Sequence, residues 1–116
     1  MTTDKKYLVA QMEDIPSIIC PCGFTRRAFT EDIDQRASLH LLDVQTDAQL
    51  HYHKEITEIY FILEGEGYLE LDGEKVPVKP MTGIMIKPGC RHRASGNLRV
   101  AIIAMPVFNP DDEWFD

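Results

Sequence analysis

The sequence predicts an all-β fold, either a sandwich or a closed barrel made of many short strands. Apolar and polar residues alternate with a two-residue period along most of the chain, and turn residues recur at roughly 8- to 12-residue intervals. No apolar residues recur with sustained helical spacing. The length of 116 residues fits a single domain, which is large enough to bury a core without disulfides or a structural metal.

The predicted strands from residue 38 onward are short alternating runs bounded by Gly, Pro or polar residues. Between two of them, Asp72-Gly73 predicts a two-residue hairpin turn, because a type I′ turn requires positive φ at both central positions. The predicted strands comprise residues 38–44, 50–53, 58–63, 67–71, 75–78, 84–87, 92–94 and 98–105.

Smaller elements are predicted at both ends of the chain. Residues 13–17 fit a short turn, and residues 15–20 fit an additional strand. Residues 109–113, Asn-Pro-Asp-Asp-Glu, fit a capped helical turn with Pro at its first position and acidic residues near its positive end. We therefore expect N-terminal strands in residues 1–37, the barrel in residues 38–106, and in residues 107–116 an acidic and aromatic tail that docks onto the barrel.

Charge and hydropathy exclude several kinds of partner. The net charge is −7, and four of the 19 acidic residues lie in the last six positions. No basic cluster exceeds Arg26-Arg27 or Arg91-x-Arg93, so we expect neither nucleic acid nor an anionic membrane surface as a partner. The longest apolar run, residues 100–105, is too short to cross a bilayer. The polar N-terminus lacks the pattern of a secretory signal, which predicts a cytoplasmic protein.

The three cysteines are expected to be reduced, because an odd number cannot all pair and Cys20 and Cys22 lie too close in sequence to bridge easily. Cys20-Pro21-Cys22 lacks the two-residue spacer of redox motifs, and no second cysteine pair is present to complete a zinc site. A structural role is therefore favoured over metal binding.

The segment around residues 51–58 carries a pattern typical of a metal site. His51 and His53 are two apart on a predicted strand, so both imidazoles point to the same face and can reach one ion. After a turn, Glu58 starts the next strand and can return to that ion, and His92 enters the sheet from a later turn. Histidines with one carboxylate form a site for a divalent metal of borderline softness. The alternative is that these histidines merely alternate with apolar residues, and the spacing of Glu58 favours the metal site.

The same residues make the sequence resemble a single-domain cupin. The first motif of that family is G-x5-H-x-H, then three or four residues, Glu, six residues and Gly. His51, His53, Glu58 and Gly65 match this motif, whereas Gln45 stands in place of the leading Gly.

The second cupin motif, G-x5-P-x-G-x2-H-x3-N, is matched by Gly89 and His92. The resemblance spans residues 39–105 and is specific, because its elements keep their order and spacing. The sequence departs from the second motif at three places. Met81-Thr82 replace the usual Gly-Asp, and Lys87 stands where the first Pro is usual, with Pro88 in the variable position that follows. Asn97 lies one residue beyond the expected Asn.

The resemblance implies a double-stranded β-helix, or jelly-roll barrel, that holds one divalent ion of iron, manganese, nickel, zinc or copper. Four protein ligands leave two positions open on an octahedral ion, which favours Fe(II), Mn(II), Ni(II) or Cu(II) over structural zinc. The ligands would be His51, His53, Glu58 and His92.

Cupins include dioxygenases, isomerases, decarboxylases, lyases and ligand-sensing modules, so the fold does not name the reaction. We expect a mononuclear metal enzyme that acts on a small organic substrate, with dioxygen chemistry as the first hypothesis. Two alternatives stay open: a non-oxidative isomerase, lyase or decarboxylase, and a metal-dependent binding or sensing module without catalysis.

Three further residues are candidates for the pocket. Tyr60 lies two residues after Glu58, so both side chains point to the same face, and Tyr60 is expected to line the barrel. Ile59, Phe61 and Leu63 point to the other face and are expected to pack on the outer side against another layer. Cys90 fits a small buried apolar filler, and His40 fits a packing residue or a neighbour of the ligands. The candidate clamps for a substrate carboxylate are Arg26, Arg27, Arg36, Arg91, Arg93 and Arg99, most of them solvated.

A homodimer is also expected. Small cupins generally pair, and residues 7–19, if they form strands, have few neighbours in their own half of the chain. This segment is predicted to cover a partner's sheet edge, because an uncovered edge invites aggregation. The other expected partner is a small-molecule substrate or ligand.

Overall fold

The computed structural model describes residues 6–20, 23–44 and 48–116. Within these ranges it contains strands and two short 3-10 turns, Met12–Asp14 and Pro110–Asp112, and this confirms the predicted all-β fold. Neither described turn is long enough to span a membrane as a helix. The strands are β1 (Ile18–Cys20), β2 (Gly23–Ala28), β3 (Ser38–Val44), β4 (Thr57–Leu71), β5 (Glu74–Val78), β6 (Gly83–Ile86) and β7 (His92–Met105).

The strands form an antiparallel sheet in the order β1-β2-β3-β7-β4-β5, and β6 also pairs with β4. β4 and β7, the longest strands, pair with each other along nearly their whole length. One edge of β4 is shared, because its first half pairs with β6 and its second half pairs with β5. β4 and β7 are therefore the two strands that connect all parts of the barrel.

The sheet closes on itself along β4. His92 pairs with Leu71 at the end of β4. Its Nε2 nevertheless lies 3.2 Å from Oε1 of Glu58, near the start of the same strand. A straight strand would separate Glu58 from Leu71 by roughly 40 Å. β4 must therefore bend, and this bend brings both of its ends to one site.

The bend follows from a bulge and a glycine. The register between β4 and β7 shifts at residues 62–64. Gly65 follows with φ +91°, and a Cβ at this position would collide with the carbonyl oxygen of Asn97. Only glycine combines this backbone conformation with so close an approach of the two strands.

The inward face of β4 has the predicted alternation. Glu58, Tyr60 and Ile62 are at most 5% exposed. Leu63 is 40% exposed, so the prediction that its side chain packs against another layer is wrong within the described chain. The apolar core consists of residues from β3, β4, β5, β6 and β7, all on the inner side of the sheet.

Several strand predictions need correction. The predicted strands 58–63 and 67–71 are one strand, and so are 92–94 and 98–105, because glycines bend the chain without interrupting its pairing. Residues 50–53 form only isolated bridges at His51 and Tyr52. The strand predicted at 15–20 is limited to β1. β2 was missed by the alternation pattern, because two adjacent arginines interrupt its apolar residues.

The turns predicted at residues 72–73 and 109–113 are confirmed, whereas the turn predicted at 13–17 is a 3-10 turn at Met12–Asp14. Asp72 and Gly73 have φ values of 48° and 84°, as a type I′ hairpin requires. In the tail, the Asn109 side chain accepts a hydrogen bond of 3.0 Å from the Asp111 backbone and caps the last 3-10 turn.

The cysteines differ in state. Cys20 is disulfide-bonded, so the expectation of reduced cysteines is wrong for this residue. Cys90 is a free thiol. The predictions for Cys22 and Gln45 lie outside the described residues.

Candidate metal centre

The residues predicted to bind metal converge inside the barrel. His51 and His53 lie in the segment before β4, Glu58 lies near the start of β4, and His92 begins β7. The backbones of His51 and His92 exchange two hydrogen bonds of 3.1 and 2.8 Å. One potential ligand atom from each of the four residues lies within 4.8 Å of the others, and all four residues are buried. The structure thus brings together every residue that the sequence spacing selected.

Backbone carbonyls fix the orientation of all three imidazoles. In each ring, Nδ1 lies 2.8 Å from a carbonyl oxygen. A carbonyl can only accept a hydrogen bond, so each Nδ1 carries a proton and donates it. In the neutral ring, the lone pair of Nε2 is then left to bind an ion. The carbonyl partners of His51, His53 and His92 belong to Gln49, Asp112 and Cys90, respectively.

Three atoms at the centre lack hydrogen-bond partners. They are Nε2 of His53, Nε2 of His92 and Oε1 of Glu58. The carboxylate oxygen lies 3.2 Å from both nitrogens, within ion-pair distance but without the alignment of a hydrogen bond. Lone pairs that face one another in a buried space destabilise the fold unless a cation lies between them. The donor set therefore fits a divalent cation.

The electrostatics of the centre favour a neutral ring for His51 and an ionised carboxylate for Glu58. Burial, together with the neighbouring His92, lowers the pKa of His51 to about 4. Burial would also lower the pKa of His53, but the adjacent Glu58 raises it overall. Burial opposes ionisation of Glu58, yet the facing imidazoles of His53 and His92, when protonated at Nε2, hold its pKa well below the usual range. Glu58 therefore presents a negative charge to the centre.

The C-terminal tail supports the centre through Asp112. Its carboxylate accepts hydrogen bonds of 2.9 to 3.1 Å from the backbone N–H groups of residues 54–56, which form the turn between His53 and Glu58. The indole of Trp114 donates a further hydrogen bond of 3.1 Å to the same carboxylate. Burial alone would raise the pKa of Asp112, but these hydrogen bonds lower it overall. One residue thus holds both the turn and, through its carbonyl, the ring of His53.

The three predicted pocket residues, Tyr60, His40 and Cys90, differ in their positions relative to the centre. Tyr60 is 3% exposed, and its ring lies edge-on to His92 with 6.0 Å between centroids. His40 is also buried, and its Nε2 lies 2.9 Å from Oγ of Ser38. Burial, with the charge of Arg27, lowers the pKa of His40 to about 4, so its ring is neutral. Cys90 is half-buried against the core and holds His92 only through its carbonyl.

Two acidic residues near the centre were missed as site residues. Asp112 and Glu113 were assigned only to the tail and to the polarity of its turn. Glu113 is half-buried, and its carboxylate interacts electrostatically with His53, Arg27 and Glu58. Burial raises its pKa. No sequence signal points to either residue, because both lie more than 50 positions from Glu58.

Comparisons with known proteins agree with this fold. The family model described as a cupin domain matches residues 38–103. An uncharacterized protein of Methanocaldococcus jannaschii is 33% identical over 84 residues, which cover 69% of this chain and 67% of that protein. The crystal structure of a protein from Planctomyces limnophilus is 35% identical, with a TM-score of 0.89, over 94% of this chain and 96% of that one.

A more distant structural neighbour has a described activity. Pac13 from Streptomyces, described as a nucleoside dehydratase, is 21% identical to this chain, with a TM-score of 0.77. The match covers 96% of this chain and 89% of Pac13. At this identity the likeness concerns the fold, a cupin-type jelly-roll barrel.

Proposed function

Because the chain belongs to the cupin family, we propose that it is a mononuclear divalent-metal enzyme that acts on a small organic substrate. The observation that carries this proposal is the set of three unpartnered, inward-facing atoms on His53, Glu58 and His92. Hydrogen bonds from Nδ1 to carbonyls already orient the rings for an ion, and such support is typical of metal-binding histidines.

We assign His51, His53, Glu58 and His92 as the metal ligands. Three imidazoles and one carboxylate suit iron, manganese, nickel, copper or zinc. The bound ion would supply a Lewis acid for a substrate oxygen and, if redox-active, electrons for dioxygen. Tyr60, whose pKa is raised well above its usual value by burial, would keep its hydroxyl proton and offer a hydrogen-bond donor beside the centre.

Dioxygen chemistry is the first reaction class to test. Four protein ligands leave two positions on an octahedral ion, enough for a substrate and a second small ligand. The test is elemental analysis of the purified protein, followed by anaerobic Fe(II) reconstitution and oxygen-uptake measurements with a panel of small organic substrates. Retention of about one ion per chain and substrate-dependent oxygen uptake are expected. Absence of metal binding would refute the proposed function.

A non-oxidative isomerase, lyase or decarboxylase is a second candidate, supported by Glu113. A half-buried carboxyl with a raised pKa beside the centre can hold or release a proton for acid–base chemistry. The Pac13 neighbour, a dehydratase, carries out a non-oxidative reaction on the same fold. Turnover under strict anoxia that Glu113→Gln abolishes would favour this class. A ligand that binds but is recovered unchanged with and without oxygen would instead indicate a binding module.

We also propose that the chain forms a homodimer through β1. Among the described strands β1 pairs only with β2, so its other edge is open to a strand of a second copy. Ile19 on this strand is 82% exposed. Ile19→Lys is expected to lower the dimer fraction in analytical ultracentrifugation, whereas Ile33→Lys, at a residue 71% exposed outside any strand, leaves it unchanged. Equal dimer fractions in both variants would contradict this role of β1.

A further inference from the structure

The six arginines considered as carboxylate clamps differ in their surroundings. Five of them are engaged by backbone or carboxylate groups or are exposed to solvent. Nε is buried without a hydrogen-bond partner in both Arg27 and Arg99, but Nε of Arg99 lies 3.2 Å from a carboxylate oxygen of Asp43. Arg27 is the exception, because no carboxylate in residues 6–20, 23–44 or 48–116 lies within ion-pair distance of its guanidinium. The other five are Arg26 with Ile15 and Asp43, Arg91 with Asp116, Arg93 with Glu70, Arg99 with Asp43, and the exposed Arg36.

The sheet register places Arg27 on the same inner face as the metal centre. Arg27 pairs with His40, which is buried inside the barrel. The neighbouring inward row of the sheet contains Ser38, Ala104 and Glu58. Directly paired residues of an antiparallel sheet share a face, so Arg27 lies one row from the carboxylate of the centre. The charges of Arg27 and Glu58 interact accordingly.

A rigid support holds the guanidinium. It lies over the ring of Phe108, with 4.1 Å between Cζ and the ring centroid. The backbone N–H of Phe108 donates a hydrogen bond of 2.9 Å to Oγ of Ser38, which in turn lies 2.9 Å from Nε2 of His40. The ring of His40 packs edge-on against Phe108. Stacking fixes the plane of the guanidinium but satisfies none of its N–H donors.

We propose that Arg27 is the anchor for a carboxylate group of the substrate, so that the site takes small organic acids. This inference rests on the proposed function, because it places the substrate between Arg27 and the metal centre. An unpaired guanidinium offers two parallel N–H donors, which match the two oxygens of a carboxylate. Glu58 and Glu113 both place negative charge near Arg27, which favours a monoanion over a phosphate dianion.

The test compares carboxylates with uncharged amides of the same shape. Benzoate and pyruvate are titrated against benzamide and pyruvamide by calorimetry, with inorganic phosphate as a third probe. The proteins are the metal-loaded wild type, Arg27→Met, Arg27→Lys and the control Arg26→Met, which alters the adjacent arginine. Metal content and thermal unfolding are measured for each protein. Arg27→Lys keeps the positive charge, so it still tests the proposal if Arg27→Met does not fold.

At least one carboxylate is expected to bind the wild type at least about tenfold more tightly than its amide. Arg27→Met should remove this preference and Arg27→Lys should reduce it, while Arg26→Met keeps it and all variants keep their metal. An equal preference in Arg27→Met, tighter binding of phosphate, or no carboxylate binding at millimolar concentration would overturn the proposal. If the wild type binds no metal, the proposed function fails, and the same titrations on the metal-free protein still decide the role of Arg27.

Discussion

Two groups of charged residues lie along the same strands of this barrel and differ in how their charges are satisfied. The metal centre is buried and leaves lone-pair atoms of Glu58 and two histidines without partners. The second group surrounds Arg99, whose guanidinium lies 3.2 Å from Asp43, 3.6 Å from Glu64 and 3.7 Å from Glu13. Each of these carboxylates is at least 31% exposed.

The way in which charged groups are satisfied distinguishes the candidate site from a structural ion-pair cluster better than cavity size does. A surface cavity of about 370 Å³ lies beside the Arg99 group, but each carboxylate that lines it forms an ion pair with Arg99. The metal centre instead accumulates buried polar atoms at a cost to stability, and such a cost persists in proteins mainly where it serves function. The Arg99 group has one buried atom without a hydrogen bond, Nε of Arg99, and it lies 3.2 Å from Asp43. A cluster of several unsatisfied buried atoms is therefore the stronger indication of a site.

The largest effect is expected from Glu58→Gln, which removes the negative ligand with little change in shape. Metal affinity should fall by more than about 100-fold, because even residues that only orient metal ligands contribute 10- to 100-fold. The metal-free variant should be as stable as the wild type or more so, because an amide N–H can donate to an imidazole lone pair. Metal titration and urea unfolding measure the two effects.

Glu64→Gln is the matched control, since it makes the same substitution six positions further along β4. It should leave metal affinity unchanged. An equal loss of metal in both variants would show that net charge, and not the buried donor set, determines metal binding.

A smaller effect, on stability, is expected from Asp112→Asn. The ionised carboxylate accepts three backbone hydrogen bonds, so its replacement should lower the free energy of unfolding by about 2 to 4 kcal/mol. The pKa of Asp112 is lower in the folded protein than its ordinary value of 3.8. This contribution is therefore fully present above the unfolded pKa and is lost as pH falls through the folded one.

Urea unfolding of metal-free wild type and Asp112→Asn between pH 7 and pH 3 tests this account. The difference between the two proteins should be largest near neutral pH and should shrink below about pH 4. A difference that stays constant down to pH 3 would mean that the ionised carboxylate is not what stabilises the turn. Asp111→Asn, on the exposed side of the same turn, serves as the control.

The sequence sufficed to select the four residues of the proposed metal centre, because they follow short, regular spacings along the chain. His51 and His53 share a face by simple alternation, and Glu58 and His92 keep the spacing of the cupin motifs. The hairpin at residues 72–73 was equally predictable, because its turn type depends on two residues alone.

The surroundings of the centre could not be predicted in the same way. Asp112 hydrogen-bonds residues 56 to 58 positions earlier, a contact that exists only after the tail has docked. Arg27 lies in β2, and its two adjacent arginines are typical of a solvated segment in the sequence. Only the pairing of Arg27 with His40 shows that one of them points inward. Alternation identifies a face of a strand, but only tertiary pairing shows what that face meets.

The smallest effect is expected from Glu64→Gln on stability. Glu64 is 69% exposed and lies 3.6 Å from the guanidinium of Arg99. Exposed ion pairs of this kind contribute about 0.2 to 1 kcal/mol, and salt screens them. The variant should therefore unfold at a slightly lower urea concentration than the wild type at low ionic strength and at the same concentration in about 1 M salt. A loss that persists in high salt would place the Arg99 group among the structural determinants of the barrel and weaken its contrast with the metal centre.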